Sequence, residues 1–543
     1  MGELGFGPRP ASVTGTVAVS GPRLGSVPIT RVRSGLPVVA LALWLVVIGT
    51  GSAAPWPAAA ASSHRAQVKA DVPVTPMDQG IGPASNSPAL AVDPHDSHFV
   101  VLANRLDAPD FGCSLQVSGN RGRGWVTANP VPTLPPGAEK CYGPEIAFDR
   151  DGVLYYLFVG LAGPGNRPMG VFLTTSGDQA RTFSAPRQLL GPLNFGVRMA
   201  IDPTLGANGR IHLVWLHAVA DVGLGSFGAP PNPIMAAHSD DGGQTFTDPV
   251  QVSDPVRERV VAPALALGPD HGVEVGYYDL GSDAVDYQGL EGPVWDRPWS
   301  VVVSSSTDGG TRFGPGSVVD EGVMAPGRVM LIFTMPPPAL AAGPGHRVCA
   351  AWADARQGDA DVLLRCSSDQ GRSWAGLQRV NDDPPGNGLS QYLPAMTTTS
   401  DGRIDIIFYD RRNDPDNIGT EVFFTWSTDG GRHFAPNRQV SSESFDSRIG
   451  QQYEGPAAQG QVEFGTRLGL LSGASRALMA WPDTRNSRPA TTGQDLFATE
   501  ADFPASTAHR LVTPVVGAAL GTLALAAWAY RRRRRRRART VEP

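Results

Sequence analysis

Several signatures of chemistry are missing from this chain of 543 residues. Its 10 histidines never fall into a metal-ligand spacing such as His-Glu-x-x-His, so the sequence offers no histidine-based zinc site. No glycine-rich loop of the phosphate-cradling type stands apart from the turn motifs described below. Positive charge is scarce in the body of the chain. The formal net charge is −6, but residues 1–61 carry +3 and residues 531–543 carry +7, so the stretch between them holds −16. A surface that acidic excludes nucleic acid as a partner. Cysteine is rare as well: Cys113, Cys141, Cys349 and Cys366. Each pair falls within or beside a single repeat, and Cys349 and Cys366 flank a Gln-Gly-Asp turn at nearly equal distance. Two disulfides are expected in an exported chain, with four buried thiols as the alternative.

What is abundant is glycine (64) and proline (49), the composition of many short strands and turns. The stretch Ser427-Thr-Asp429-Gly-Gly431-Arg-His-Phe434 recurs as Ser239 to Phe246, Ser306 to Phe313 and Ser367 to Trp374. Two eroded copies precede these. Ser118 to Trp125 has Asn120 for the aspartate, and Ser176 to Phe183 has Ala180 for the glycine. The starts lie 58, 63, 67, 61 and 60 residues apart, the period of a repeat architecture. Serine and aspartate side chains accept hydrogen bonds from N–H groups just ahead, and the glycine takes a positive φ. Repeats open with a proline before small apolar residues, at Pro88, Pro144, Pro263 and Pro394.

The motif resembles the Asp-box, or BNR repeat, of the sialidase superfamily. The resemblance implies a β-propeller with each box between the third and fourth strands of a blade, and Asp178, Asp241, Asp308, Asp369 and Asp429 as structural box residues. Beyond the sixth box, Arg467 to Leu471, Ala477 to Trp481 and Asp495 to Thr499 read as three strands of a further blade. An orphan strand at residues 66–72 can supply its fourth and close the ring, which removes the exposed edges. The expectation is therefore an all-β, seven-bladed propeller over residues 66–503. Typical sialidases have six blades, and their Phe/Tyr-Arg-Ile-Pro signature is absent. Neither Asn104-Arg105-Leu106-Asp107 nor Val197-Arg198-Met199 matches it.

The ends read differently. Leu36 to Ile48 is an apolar run behind Arg31 and Arg33, followed by Ala59-Ala60-Ala61, so residues 1–61 are expected to form an export signal, cleaved or kept as an anchor. After a linker at 504–510, Leu511 to Tyr530 is uncharged and long enough to span a bilayer. The tail at 531–543 begins with seven arginines, which places it in the cytoplasm and the propeller outside.

Candidate site residues fall into three sets. Arg356, Arg412 and Arg485 follow aromatic-x-Asp at the ends of three successive second strands. The family resemblance implies that they clamp a substrate carboxylate; the structural alternative pairs each with its own Asp354, Asp410 or Asp483. The long loop from Asp279 to Pro298 in blade four holds Asp283, Asp286 and Glu291 beside Tyr287 and Trp295, the mixture that glycoside hydrolysis and sugar stacking use. These carboxylates could instead hold a structural calcium ion, or simply be solvated. Tyr453 and Glu454, at the start of blade seven, are the expected tyrosine–glutamate pair. No other cofactor is implied. The resemblance points to a surface protein that hydrolyses or binds glycans, possible partners being surface glycans. The rival is a non-catalytic scaffold for envelope proteins.

Overall fold

The computed structural model describes residues 66–76, 83–219, 230–287, 297–326, 336–450, 464–487 and 493–504. These residues build seven antiparallel sheets, each ordered from an inner to an outer strand. Blade 1 runs from Ser85–Val92 to Val126–Thr127, and blade 2 from Lys140–Phe148 to Arg187–Leu190. Blade 3 spans Asn194–Asp202 to Val250–Gln251, and blade 4 spans Val260–Leu267 to Ser317–Val323. Blades 5 and 6 begin at Ala339–Gly343 and Gln391–Thr398. Blade 7 has Gly469–Gly473, Arg476–Asp483 and Asp495–Asp502, and its outer edge is completed by Gln67–Val68 and Val72–Pro73. The seven blades and the closure by the N-terminal strand are thus as expected. Among the described residues no helix is long and apolar enough to cross a membrane; the segments at 1–61 and 511–530 lie outside the described residues.

The repeat pattern has a uniform geometry. In all six turns the serine Oγ donates to the Asp or Asn two residues on, at 2.7–2.9 Å, and accepts the N–H four residues on, at 2.9–3.0 Å. The residue donating that N–H has a positive φ, from 62° at Ala180 to 85° at Gly122. Each turn serine pairs across the sheet with one second-strand residue: Val100, Leu154, Ile211, Val273, Val348 and Ile404. The residue after each of these is therefore equivalent from blade to blade. It is Val101, Tyr155, His212, Glu274, Cys349 and Asp405, and every one is buried.

The opening prolines also find their place. Five inner strands carry a β-bulge. At each bulge one residue has a left-handed φ of 52–59°: Ser87, Gly143, Gly196, Ala262 and Leu393. In four of the five the next residue is the motif proline, which has no N–H to leave unpaired where the ladder breaks. Both disulfides form. Cys349–Cys366 joins register partners within blade 5, and Cys113–Cys141 ties the third strand of blade 1 to the inner strand of blade 2.

Candidate functional site

Inner strands line the axis of a propeller, and the bulge sets which side chains stand there. The first residue to regain register after the bulge is Ala89, Glu145, Arg198, Ala264 and Ala395 in blades 1, 2, 3, 4 and 6. Small residues at three of these positions leave space, and the other two are charged. Arg198 Nη1 lies 2.9 Å from Glu145 Oε1, and Arg198 Nε donates to the Pro263 carbonyl at 3.2 Å. Arg467, just before the inner strand of blade 7, also pairs with Glu145. Its Nη2 donates to the Pro144 carbonyl at 2.7 Å and its Nε to the Pro88 carbonyl at 3.2 Å. One carboxylate and two guanidiniums thus connect blades 7, 1, 2, 3 and 4.

A third arginine stands close by. Arg105 lies next to the end of the second strand of blade 1, at the register position that holds Val159, Leu216, Tyr278 and Tyr409 in blades 2, 3, 4 and 6. It binds Asp107 through two bonds of 2.6 and 2.7 Å, donates to the Tyr142 hydroxyl at 2.9 Å, and lies 4.8 Å over that ring. Burial pushes the Arg467 guanidinium below its ordinary value; Glu145 pulls it back up, while the charges of Arg198 and Arg105 add to the depression. Among the described residues three guanidiniums therefore face two carboxylates, a local excess of positive charge in a stretch of net −16. Arg198 and Arg467 keep 16% and 18% of their side-chain surface, so the cluster is partly open.

The arginines singled out by sequence are engaged elsewhere. Arg356 pairs with Asp354 at 2.6 Å and with Asp320 of blade 4 at 2.8 Å. Arg412 pairs with Asp410 at 2.7 Å, with Asp382 beyond the outer strand of blade 5, and with Asn437. Arg485 pairs with Asp483 and with Asp71 at 2.9 Å, and donates to Ser442 beyond the outer strand of blade 6. The three share no partner. Each ties its own strand end to a neighbouring edge, the arrangement of the structural alternative. Burial pushes the Asp410 and Asp483 carboxyls up even against their arginines.

In the blade 4 loop, Asp283 is fully buried and accepts the Trp299 indole N–H at 3.0 Å. Tyr287 ends the short helix Ala284–Tyr287, is fully buried in the apolar cluster of blades 3 to 5, and takes a hydrogen bond from Asn232. Both serve as anchors of the loop. The side chain of Asp286, together with Glu291, Trp295, Tyr453 and Glu454, lies outside the described residues. Among the described residues no group of three or more histidine, cysteine or acidic side chains is placed to hold a metal ion.

The axial residues carried a faint signal. Arg198 and Glu145 occupy the same repeat position as three alanines, and Arg105 stands where other repeats have an apolar or aromatic residue. A charge at an otherwise apolar repeat position is what aligning the repeats to each other would have found.

No protein-family model and no curated protein matches the chain. Similar solved structures include a Hadza microbial sialidase, at 13% identity over 74% of this chain and 73% of that one, with a TM-score of 0.43. Another is the Penicillium chrysogenum alpha-L-arabinanase complexed with arabinobiose, at 14% identity over 68% of this chain and 96% of that one, TM-score 0.41. A third is an ulvan lyase bound to -[GlcA(1-4)Rha3S]-, at 13% identity over 77% and 94%, TM-score 0.45. Likenesses this distant assign neither activity nor residues to the chain.

Proposed function

We propose that the chain is an exported, membrane-anchored propeller directed at carbohydrate, and that it recognises acidic glycans at the axial cluster. The observation that carries this reading is the convergence of Arg105, Arg198 and Arg467 beside Tyr142, with positive charge in excess among the described residues. A sugar carboxylate approaching a domain of −16 is repelled by the mean field and needs a local basic site to override it. Guanidinium groups supply that charge with a fork that matches a carboxylate, and Arg198 and Arg467 are the two that keep exposed side-chain surface. Hydrolysis of the sialidase type would need a tyrosine paired with a general base; the contact shown at the Tyr142 hydroxyl is the Arg105 guanidinium, a donor, so binding is the part of the reading that the geometry supports.

The second reading, a non-catalytic scaffold for envelope proteins, is favoured by the rim pairs of Arg356, Arg412 and Arg485, which hold each guanidinium to the aspartate of its own strand end.

The test is calorimetric titration of the full chain with uronate-containing, sialylated and neutral oligosaccharides. Acidic sugars should bind, and Arg198→Gln, in a protein shown by circular dichroism to keep the wild-type fold, should weaken them at least ~10-fold, the loss typical of one charge-assisted contact. Equal affinity for neutral and acidic sugars, or none for either, overturns the reading and leaves the scaffold. Release of fluorescent aglycones from the same sugars separates hydrolysis from binding.

A further inference from the structure

The equivalent buried position behind each turn takes a different side chain in each blade, and in blades 3 and 4 it is titratable without a fixed counter-charge. His212, 3% exposed, packs against the turn of blade 4, where a Cβ on Gly310 would lie 3.1 Å from its Nδ1. Its cross-strand partner is His238, with ring centroids 6.1 Å apart. Buried His212 Nε2 and His238 Nδ1 have no hydrogen-bond partner among the described residues. The charged groups around the pair are Arg210 and Asp240, which bind each other at 2.7 Å, Asp202 of the inner strand, and Asp308 of the blade 4 turn.

Glu274, 1% exposed, occupies the same position one blade on. Its cross-strand neighbours are Ala266 and Ser305. Ser305 donates to its carboxylate and to the Gln370 carbonyl in the turn of blade 5, and the Gln370 side chain also bonds to Glu274. None of these neighbours is charged, and no ion pair reaches Glu274 among the described residues.

We propose that blade 4 is a pH-responsive segment whose two seams swing in opposite directions: the seam to blade 3 tightens, and the seam to blade 5 loosens, as pH rises from acid to neutral. Burial, His238 and Arg210 hold the His212 imidazole down at about 4, against 6.5 when solvated, with Asp202 and Asp240 opposing. Its closed form binds fewer protons than the open form between those values, so closure strengthens as pH rises through them. Burial pushes Glu274 up to about 7, against 4.5 when solvated, although Ser305 and Gln370 favour the anion. Its closed form binds more protons in that interval, so closure weakens as pH rises from 4.5 to 7.

Hydrogen exchange of the full chain at pH 5 and pH 7, expressed as protection factors, reads both seams. Protection should rise about tenfold in Arg210–His217 and Ile234–Ser239 and fall about tenfold in Val273–Asp279 and Trp299–Ser306, the size of a one-unit linkage. Glu274→Gln should flatten only the second change and His212→Asn only the first. Movement of both segments in the same direction overturns the proposal from the wild type alone, whether or not the variants fold. Persistence of the second change in a folded Glu274→Gln protein overturns it too.

Discussion

Blades 5 and 6 close with covalent and ionic bonds a position that blades 3 and 4 fill with titratable groups lacking a fixed counter-charge. The position behind the turn is Cys349 in blade 5, closed by a disulfide to Cys366, and Asp405 in blade 6, closed by Arg403. In blades 3 and 4 it is His212 and Glu274, both buried and both with protonation shifted by burial. Backbone geometry is the same in all four, since the register partners are the same. The difference teaches that the repeat dictates burial at this position but not the chemistry that makes burial tolerable. A cross-link or a matched charge leaves no buried group without a partner; an unmatched titratable group makes the seam responsive to pH.

The largest expected effect comes from breaking the matched side. Arg403 and Asp405 bind through two bonds of 2.8 and 2.9 Å with side chains 4% and 0% exposed. Arg403 also donates to the carbonyls of Gly473 and Ala474 in blade 7 and lies 3.6 Å over the Phe503 ring. Asp405→Ala leaves that guanidinium buried without its carboxylate, and unfolding in urea should show a loss of about 3–5 kcal/mol. A loss below ~1 kcal/mol would mean that the pair is no tie, and the contrast between the two sides of the ring would fail.

Next comes the covalent tie. Cys349 and Cys366 are 17 residues apart, and replacing both with serine should cost about 3 kcal/mol through the unfolded chain. Thiol titration of the unreduced wild-type protein should find no free cysteine. Four titratable thiols would remove this half of the comparison outright.

How much of this was legible in the sequence follows from what repetition can and cannot say. The period of the turn serines, the opening prolines and the orphan strand at 66–72 fixed seven blades, because each reports a backbone requirement that recurs in every repeat. The pairing of Cys349 with Cys366 was readable for the same reason, since a symmetric turn puts them across a hairpin. The axial cluster was not. Glu145, Arg198, Arg467 and Arg105 come from four blades and meet only when the ring closes, so no local spacing connects them. The aromatic-x-Asp-x-Arg motifs drew attention through repetition, which here goes with ties along the rim. Asp283 and Tyr287 resembled a sugar site by composition, but composition does not reveal that both side chains turn inward.

The smallest effects test the turn itself, and they are expected to be unequal in the two directions. Gly431 has a φ of 83°, and a Cβ there would stand 2.7 Å from Cys366 Sγ. Gly431→Ala adds a left-handed alanine, costing about 1–2 kcal/mol, and a clash with the disulfide of blade 5. The urea midpoint should show a loss of about 2 kcal/mol or more. Ala180 already holds that conformation in the blade 2 turn, at φ 62° and 4% exposed, within the apolar cluster of blades 1 and 2. Ala180→Gly relieves about 1–2 kcal/mol of backbone strain. It also gives up a buried methyl, about 0.8 kcal/mol, and adds about 0.5–1 kcal/mol of chain entropy to lose. These terms nearly cancel, so stability should stay within ~0.5 kcal/mol of wild type. A gain above ~1 kcal/mol would show that the methyl does not pack and that the alanine in this turn is uncompensated strain. A loss of that size would show the reverse: the side chain, and not the glycine conformation, holds the turn of blade 2.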